Sequence, residues 1–185
     1  IGDRGKRDEN PQDLSRDGGK VYRLMENGDI PTDNPFVFVK DAKTAVFSYG
    51  HRNPQGMTKH PVTGEIWTHE HGPRGGDEIN IVKAGKNYGW PSITYGKNYS
   101  GTTITKDKAL PGMEQPLYYW IPSIAPSGMA FVYNSKYADW EGNLVVGSLK
   151  FNYLERLVIE NNSVVFRAVS YKHLRAHQTT PQLVF

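Results

Sequence analysis

The chain has no cysteine, so it holds neither a disulfide framework nor a thiolate metal site. That absence is compatible with an oxidising compartment. Long apolar runs are missing as well. None approaches the roughly 20 residues of a membrane-spanning helix, and the chain reads as soluble, with no membrane span. Charge of one sign is scarce: the formal net charge is only +3, and the basic residues are scattered along the sequence. No nucleic-acid partner is indicated. Helical periodicity is nearly absent. The chain also opens at Ile1 without a methionine or a signal-peptide pattern, and "IGDRG" reads like the end of a strand. It is therefore read as an internal piece of a longer protein.

Turn formers and aromatics are plentiful: Gly 19, Pro 12, Tyr 11 and Trp 4, against 37% hydrophobic residues, point to many short strands. Three stretches are alike, "GKVYRLMENGDI" (residues 19–30), "DEINIVKAGKNY" (77–88) and "LERLVIENNSVV" (154–165). Each is an alternating strand, a turn rich in Gly, Asn or Glu, and another extended piece. A second echo pairs "GMTKHPVTGEIW" (56–67) with "GMAFVYNSKYADWEGNLVV" (128–146), each a Gly-Met, a strand, a turn with Gly and a strand. Four-stranded units of roughly 40–50 residues are the blades of a β-propeller. The expected fold is all-β, with about three to four blades over residues 1–165. An insertion, "KNYSGTTITKDKALPGMEQP", is expected at residues 97–116, and residues 166–185 form the end of the piece. A β-sandwich is the alternative.

Polar loops of a propeller gather at one end of the channel, where they can surround a ligand. In "SYGHRNPQGM" (48–57), Arg52 offers five donors in a fixed fork, suited to a carboxylate or quinone oxygen and able to stack on a planar ring. Asn53 and Gln55 add amide donors and acceptors, and Pro54 restricts the backbone before it. In "HEHGPRGGDE" (69–78), Gly72 and Pro73 can turn carbonyls towards a cation, and Asp77 and Glu78 add carboxylates. That oxygen-rich set suits calcium. His69 and His71 share a strand face but lack a clear third ligand for zinc. "GSLKFNY" (147–153) brings Lys150 as a second cation. Trp90, Tyr95, Trp67, Trp120 and Trp140 are read as packing residues.

Taken in order, "SYGHRNPQGM", "EHGPRGGDEIN" and "GKNYGWPSITYG" resemble the soluble glucose/sorbosone dehydrogenases that use pyrroloquinoline quinone, most nearly their bacterial aldose sugar dehydrogenase branch. The resemblance runs from Ile1 to about Val165 and implies the middle of a six-bladed β-propeller. It implies oxidation of an aldose at C1 to a lactone, with hydride passing to pyrroloquinoline quinone in the presence of Ca2+. Arg52, Asn53, Gln55, Tyr99, Ser148, Leu149 and Lys150 then correspond to cofactor-binding positions. Gly72 and Pro73 correspond to carbonyl ligands of the calcium beside the cofactor, and Glu78 and Tyr88 to ligands of a structural calcium. An electron acceptor and a periplasmic or secreted location are implied too. The family's catalytic histidine falls upstream of Ile1, so these 185 residues alone are expected to be inactive, and His51, His69 and His71 are not assigned that role. The tail "YKHLRAHQTTPQLVF" (171–185) departs from the family pattern and is read as non-native sequence. A non-catalytic secreted propeller that binds a sugar or a protein is the alternative function.

Overall fold

A computed structural model describes residues 1–134 and 136–171. Ten strands follow one another: β1 (Lys20–Tyr22), β2 (Val46–Tyr49), β3 (Pro54–Lys59), β4 (Ile66–Glu70), β5 (Asp77–Val82), β6 (Tyr118–Trp120), β7 (Pro126–Phe131), β8 (Leu144–Ser148), β9 (Tyr153–Glu160) and β10 (Ser163–Tyr171). They form two four-stranded antiparallel meanders, β3-β4-β5-β6 and β7-β8-β9-β10, and a two-stranded sheet, β1-β2. Each meander is a propeller blade. Among the described residues the count is two complete blades and one pair of strands from a third. Ile1 exchanges both backbone hydrogen bonds with Lys20, at 2.8 and 3.0 Å, which is the ladder pattern of an extended segment beside β1.

The repeats seen in the sequence are equivalent strands. The three alike stretches begin at β1, β5 and within β9, each of which pairs with the strand that follows it. The Gly-Met echo marks β3–β4 and β7–β8, the first hairpin of each blade. The two first strands, β3 and β7, lie against one another, so the blades converge on that side. The insertion is longer than expected: residues 83–117 carry none of the named strands. Asn87 and Gln12 nevertheless tie this loop down through reciprocal amide bonds of 3.0 and 2.7 Å. β10 carries the second blade through Tyr171, and the tail beyond it lies outside the described residues.

Strand β4 is buried on both faces, which the period of two then divides. Trp67 faces the second blade, packing edge-on against Phe131 at 5.2 Å. Thr68 and Glu70 face the β1-β2 side. Between the blades lies one apolar core built on Trp67, Ile79, Trp120, Leu144, Val146 and Leu157. Burying each large apolar side chain contributes about 1.5–3 kcal/mol. One carboxylate closes this core. Glu155 on β9 is fully buried and accepts from Trp120 Nε1 of the other blade, from the Tyr153 hydroxyl and from Arg167, whose Nε lies 2.6 Å away. A charge so buried is stable only because these donors compensate it.

Candidate functional site

The "GHRNPQG" segment is held by a single acid. Glu70, at the end of β4, is 3% exposed. One of its oxygens accepts from the Arg52 amide (2.7 Å) and the Asn53 amide (3.2 Å). The other meets His51 Nδ1 at 3.1 Å and accepts from Asn80 Nδ2 at 3.0 Å. Burial alone would raise the Glu70 pKa; the His51 charge and the hydrogen bonds from His51, Arg52 and Asn53 outweigh it and hold the carboxyl below its usual range. His51 is itself fully buried, with Nε2 2.8 Å from Ser48 Oγ and its ring stacked on Tyr88 at 4.5 Å. The line Ser48–His51–Glu70 has the order of a hydrolase triad, but all three groups are enclosed. It orients a loop.

What it orients is Arg52. The guanidinium donates through Nη1 to the His71 carbonyl at 2.7 Å and lies over the Trp90 ring at 5.5 Å. Its Nε is buried and has no partner. Gln55 Nε2 donates to Asn53 Oδ1 at 3.0 Å. Arg52, Asn53 and Gln55 line a depression of about 430 Å³ that residues 1–5 complete.

Beyond His71 the chain turns sharply from β4 into β5. Gly75 and Gly76 take φ of +87° and +72°, a left-handed pair that glycine adopts without strain. The turn is packed so tightly that a Cβ on Gly72 would sit 2.1 Å from the Gly76 carbonyl oxygen. Asp77 fastens it: Oδ1 accepts from the Gly72 amide, and Oδ2 from the Ile124 and Ala125 amides, each at 2.8 Å. Ile124 and Ala125 in turn accept from Lys150 N and Leu149 N, at 3.2 and 3.0 Å. The carbonyl of Ile124 also accepts from Ser148 Oγ at 2.7 Å. This chain of bonds ties Gly72 to Lys150, and both line one cavity of about 550 Å³ with Pro73 and Tyr99.

Behind the turn lies a small internal space of about 10 Å³, lined by Glu70, Glu78 and Tyr88 among others. Its size suits one ion or one water. Burial, and then the Glu70 charge, push the Glu78 carboxyl up to about 8. Among the described residues no group of three or more His, Cys, Asp or Glu could hold a metal. Any cation here would depend on carbonyl oxygens as well, which is calcium chemistry rather than zinc chemistry.

The candidate positions therefore fall into three neighbouring groups. Gly72, Pro73, Tyr99 and Lys150 share the larger cavity; Arg52, Asn53 and Gln55 share the adjacent depression; Glu78 and Tyr88 share the internal space. Leu149 is exposed beside Lys150, and the buried Ser148 hydroxyl also accepts from Phe151 N at 3.1 Å, so it pins the turn. The Tyr88 hydroxyl is engaged with Ile81 O and Lys83 N, leaving its backbone carbonyl as the available oxygen. Three residues organise the site by holding other protein groups: Glu70 and Asp77 accept backbone amides, and His51 bridges Glu70 and Ser48. Asp77, expected to add a carboxylate for calcium, has both oxygens taken by amides, and His51 and Glu70 had no assigned role. An acid between two histidines on an alternating strand is the one local signal for Glu70.

The glucose/sorbosone dehydrogenase family profile matches residues 1–178. Over 141 residues the chain is 51% identical to the aldose sugar dehydrogenase YliI of Escherichia coli K12, covering 75% of this chain and 38% of that one. The crystal structure of the soluble aldose sugar dehydrogenase from Escherichia coli, in its apo form, superposes with a TM-score of 0.86 at 41% identity, covering 94% of this chain and 50% of that one. The PQQ-bound aldose sugar dehydrogenase from Streptomyces coelicolor gives a TM-score of 0.70 at 27% identity, covering 91% and 43%. The chain thus spans half or less of these relatives.

Proposed function

The chain belongs to the glucose/sorbosone dehydrogenase family, and from that premise we propose that the whole protein oxidises aldose sugars at C1 to lactones, with pyrroloquinoline quinone and Ca2+ as cofactors. The observation that carries this reading is the gathering of Gly72, Pro73, Tyr99 and Lys150 around one cavity with Arg52 in the adjoining wall. Its volume of about 550 Å³ lies within the range of small-molecule sites.

The residues present fit both groups. A planar tricarboxylate needs cations and a flat contact; Arg52 and Lys150 supply the charge, and Tyr99, 74% exposed, supplies a ring. The buried, unpartnered Arg52 Nε is a donor that an anionic oxygen would satisfy. For calcium, Gly72 and Pro73 line the cavity and would offer their carbonyls, and the packing against Gly76 admits only glycine at position 72. In the internal space, a cation between Glu70 and Glu78 would offset the burial, and then the Glu70 repulsion, that push the Glu78 carboxyl up to about 8.

When bound, the quinone supplies the two-electron acceptor and calcium the Lewis acid that polarises it. The chain's own residues hold and orient. Glu70 and His51 set the backbone of Arg52 and Asn53, and Arg52 and Lys150 present positive charge where negative charge develops. The C1 hydroxyl proton goes to a histidine proposed to precede Ile1. His51 and His69 are enclosed, and His71 Nε2 is engaged with Pro126 O at 2.8 Å. Turnover would also need an electron acceptor, in a periplasmic or secreted setting.

The test adds cofactor and calcium to the whole protein with an aldose and an artificial electron-accepting dye. Dye reduction that requires both additions is expected. Its absence with every aldose would leave a sugar- or protein-binding propeller.

A further inference from the structure

On the outer side of the core shared by the two complete blades, the surface opens into a groove of about 610 Å³. One wall is β6 and the connection after it; the other is β9, β10 and the β8–β9 turn. The lining is aromatic. Phe151 and Tyr153 lie parallel within 4°, their centroids 5.9 Å apart, and make one continuous step. Tyr118 stands edge-on to Trp120 at 5.1 Å, and Phe151 remains 41% exposed.

The polar part is a single fixed pair. Arg167 grips the buried Glu155 through Nε and Nη2, at 2.6 and 3.2 Å, and lines the groove with Tyr118. Its side chain is 47% exposed, and its fork carries further N–H donors. The pair is neutral overall, so an anion gains little here. A purely apolar ligand would leave these donors unpaired, at a cost. The remaining class is a neutral ring with an apolar C–H face and a rim of hydroxyls. Its face packs on aromatic rings and its hydroxyls meet fixed donors.

The place of the groove identifies which sugar unit would lie in it. Groove and candidate cavity share Pro122 and part at the β8–β9 turn, where Lys150 lines the cavity and Phe151 the groove. We propose that the groove is a sugar subsite that holds the second and later residues of an oligosaccharide whose reducing end lies in the candidate site. This rests on the function proposed above.

Calorimetry decides it without turnover. The whole protein, free of cofactor, is titrated with maltotriitol and with cellotriitol, whose reduced ends cannot be oxidised at C1. Saturable binding of one of them is expected, weakened about three- to tenfold in Phe151→Ala and in Tyr118→Phe. With cofactor and calcium present, Tyr118→Phe should lower kcat/KM for the matching trisaccharide by a similar factor while leaving glucose turnover unchanged. Absence of saturable binding by both alditols, or equal binding in wild type and variants, overturns the subsite. Failure of every aldose to reduce dye would overturn the proposed reaction alone, because the titration needs no redox step.

Discussion

At position 52 the guanidinium does three things that an ammonium cannot do together: it bonds the His71 carbonyl, lies over Trp90 and keeps a buried Nε for a further acceptor. Arg52→Lys is expected to weaken cofactor binding by about 1.5–3 kcal/mol, roughly ten- to over a hundredfold, with the melting temperature nearly unchanged. Equilibrium titration of the cofactor checks it; wild-type affinity would make the loop a polar turn and nothing more. Glu70→Gln keeps the shape of the hub but replaces an acceptor with a donor. The Arg52 amide, the Asn53 amide, the Asn80 side-chain amide and His51 then share one oxygen in place of two. An affinity loss of about tenfold is expected, together with a shift of the His51 ring resonances in the cofactor-free protein. The Arg52 position was legible in its motif, because that chemistry needs a fork of donors beside other polar groups. The Glu70 role was not, because two of its partners are backbone amides that every residue possesses, 17 and 18 residues away, and the others, His51 and Asn80, lie 19 and 10 residues away.

Strands were legible where alternation and turn residues agreed. Asn161 and Asn162 take φ of +49° and +56°, the two-residue turn that suits a twisted hairpin, and the "ENNS" run announced it. Asn162→Val should destabilise this hairpin by about 1–2 kcal/mol, since a β-branched residue resists positive φ. A lowered melting temperature with an unchanged circular dichroism spectrum is the expected readout. Strand β1 was legible in pattern but not in content. Lys20 stands in it fully buried, its ammonium donating to the carbonyls of Asn10, Pro11 and Gly18 at 2.6, 3.1 and 2.8 Å. No local rule foretells a lysine facing inward; only the loop folded around it makes that possible. Lys20→Met leaves three carbonyls without their donor and should cost roughly 2–4 kcal/mol in a urea titration. A change under about half a kcal/mol would show that water replaces the ammonium without penalty.

Across the whole molecule, two buried carboxylates join the blades, Asp77 at the end that bears the candidate site and Glu155 at the outer side of the core. Glu78 lies next to the first. Its pKa is raised to about 8, so in the folded state it keeps a proton that the unfolded chain gives up in the ordinary carboxyl range. Stability of the calcium-free protein should therefore fall as pH rises towards about 8, and Glu78→Gln should flatten that slope. At pH 7.5, calcium should raise the wild-type melting temperature more than that of the Gln variant, which keeps only the proposed Gly72–Pro73 site. A calcium titration with no shift in either protein would remove the internal cation site. The blade repeat was readable because each blade reuses the same turn grammar; the joints between blades were not, because they pair residues up to 48 positions apart. These joints have a consequence for how the molecule comes apart. Asp77 and Glu155 each hold groups of the other blade, so neither blade can melt without stranding a buried carboxylate. The two blades should therefore unfold together, as a single transition in urea.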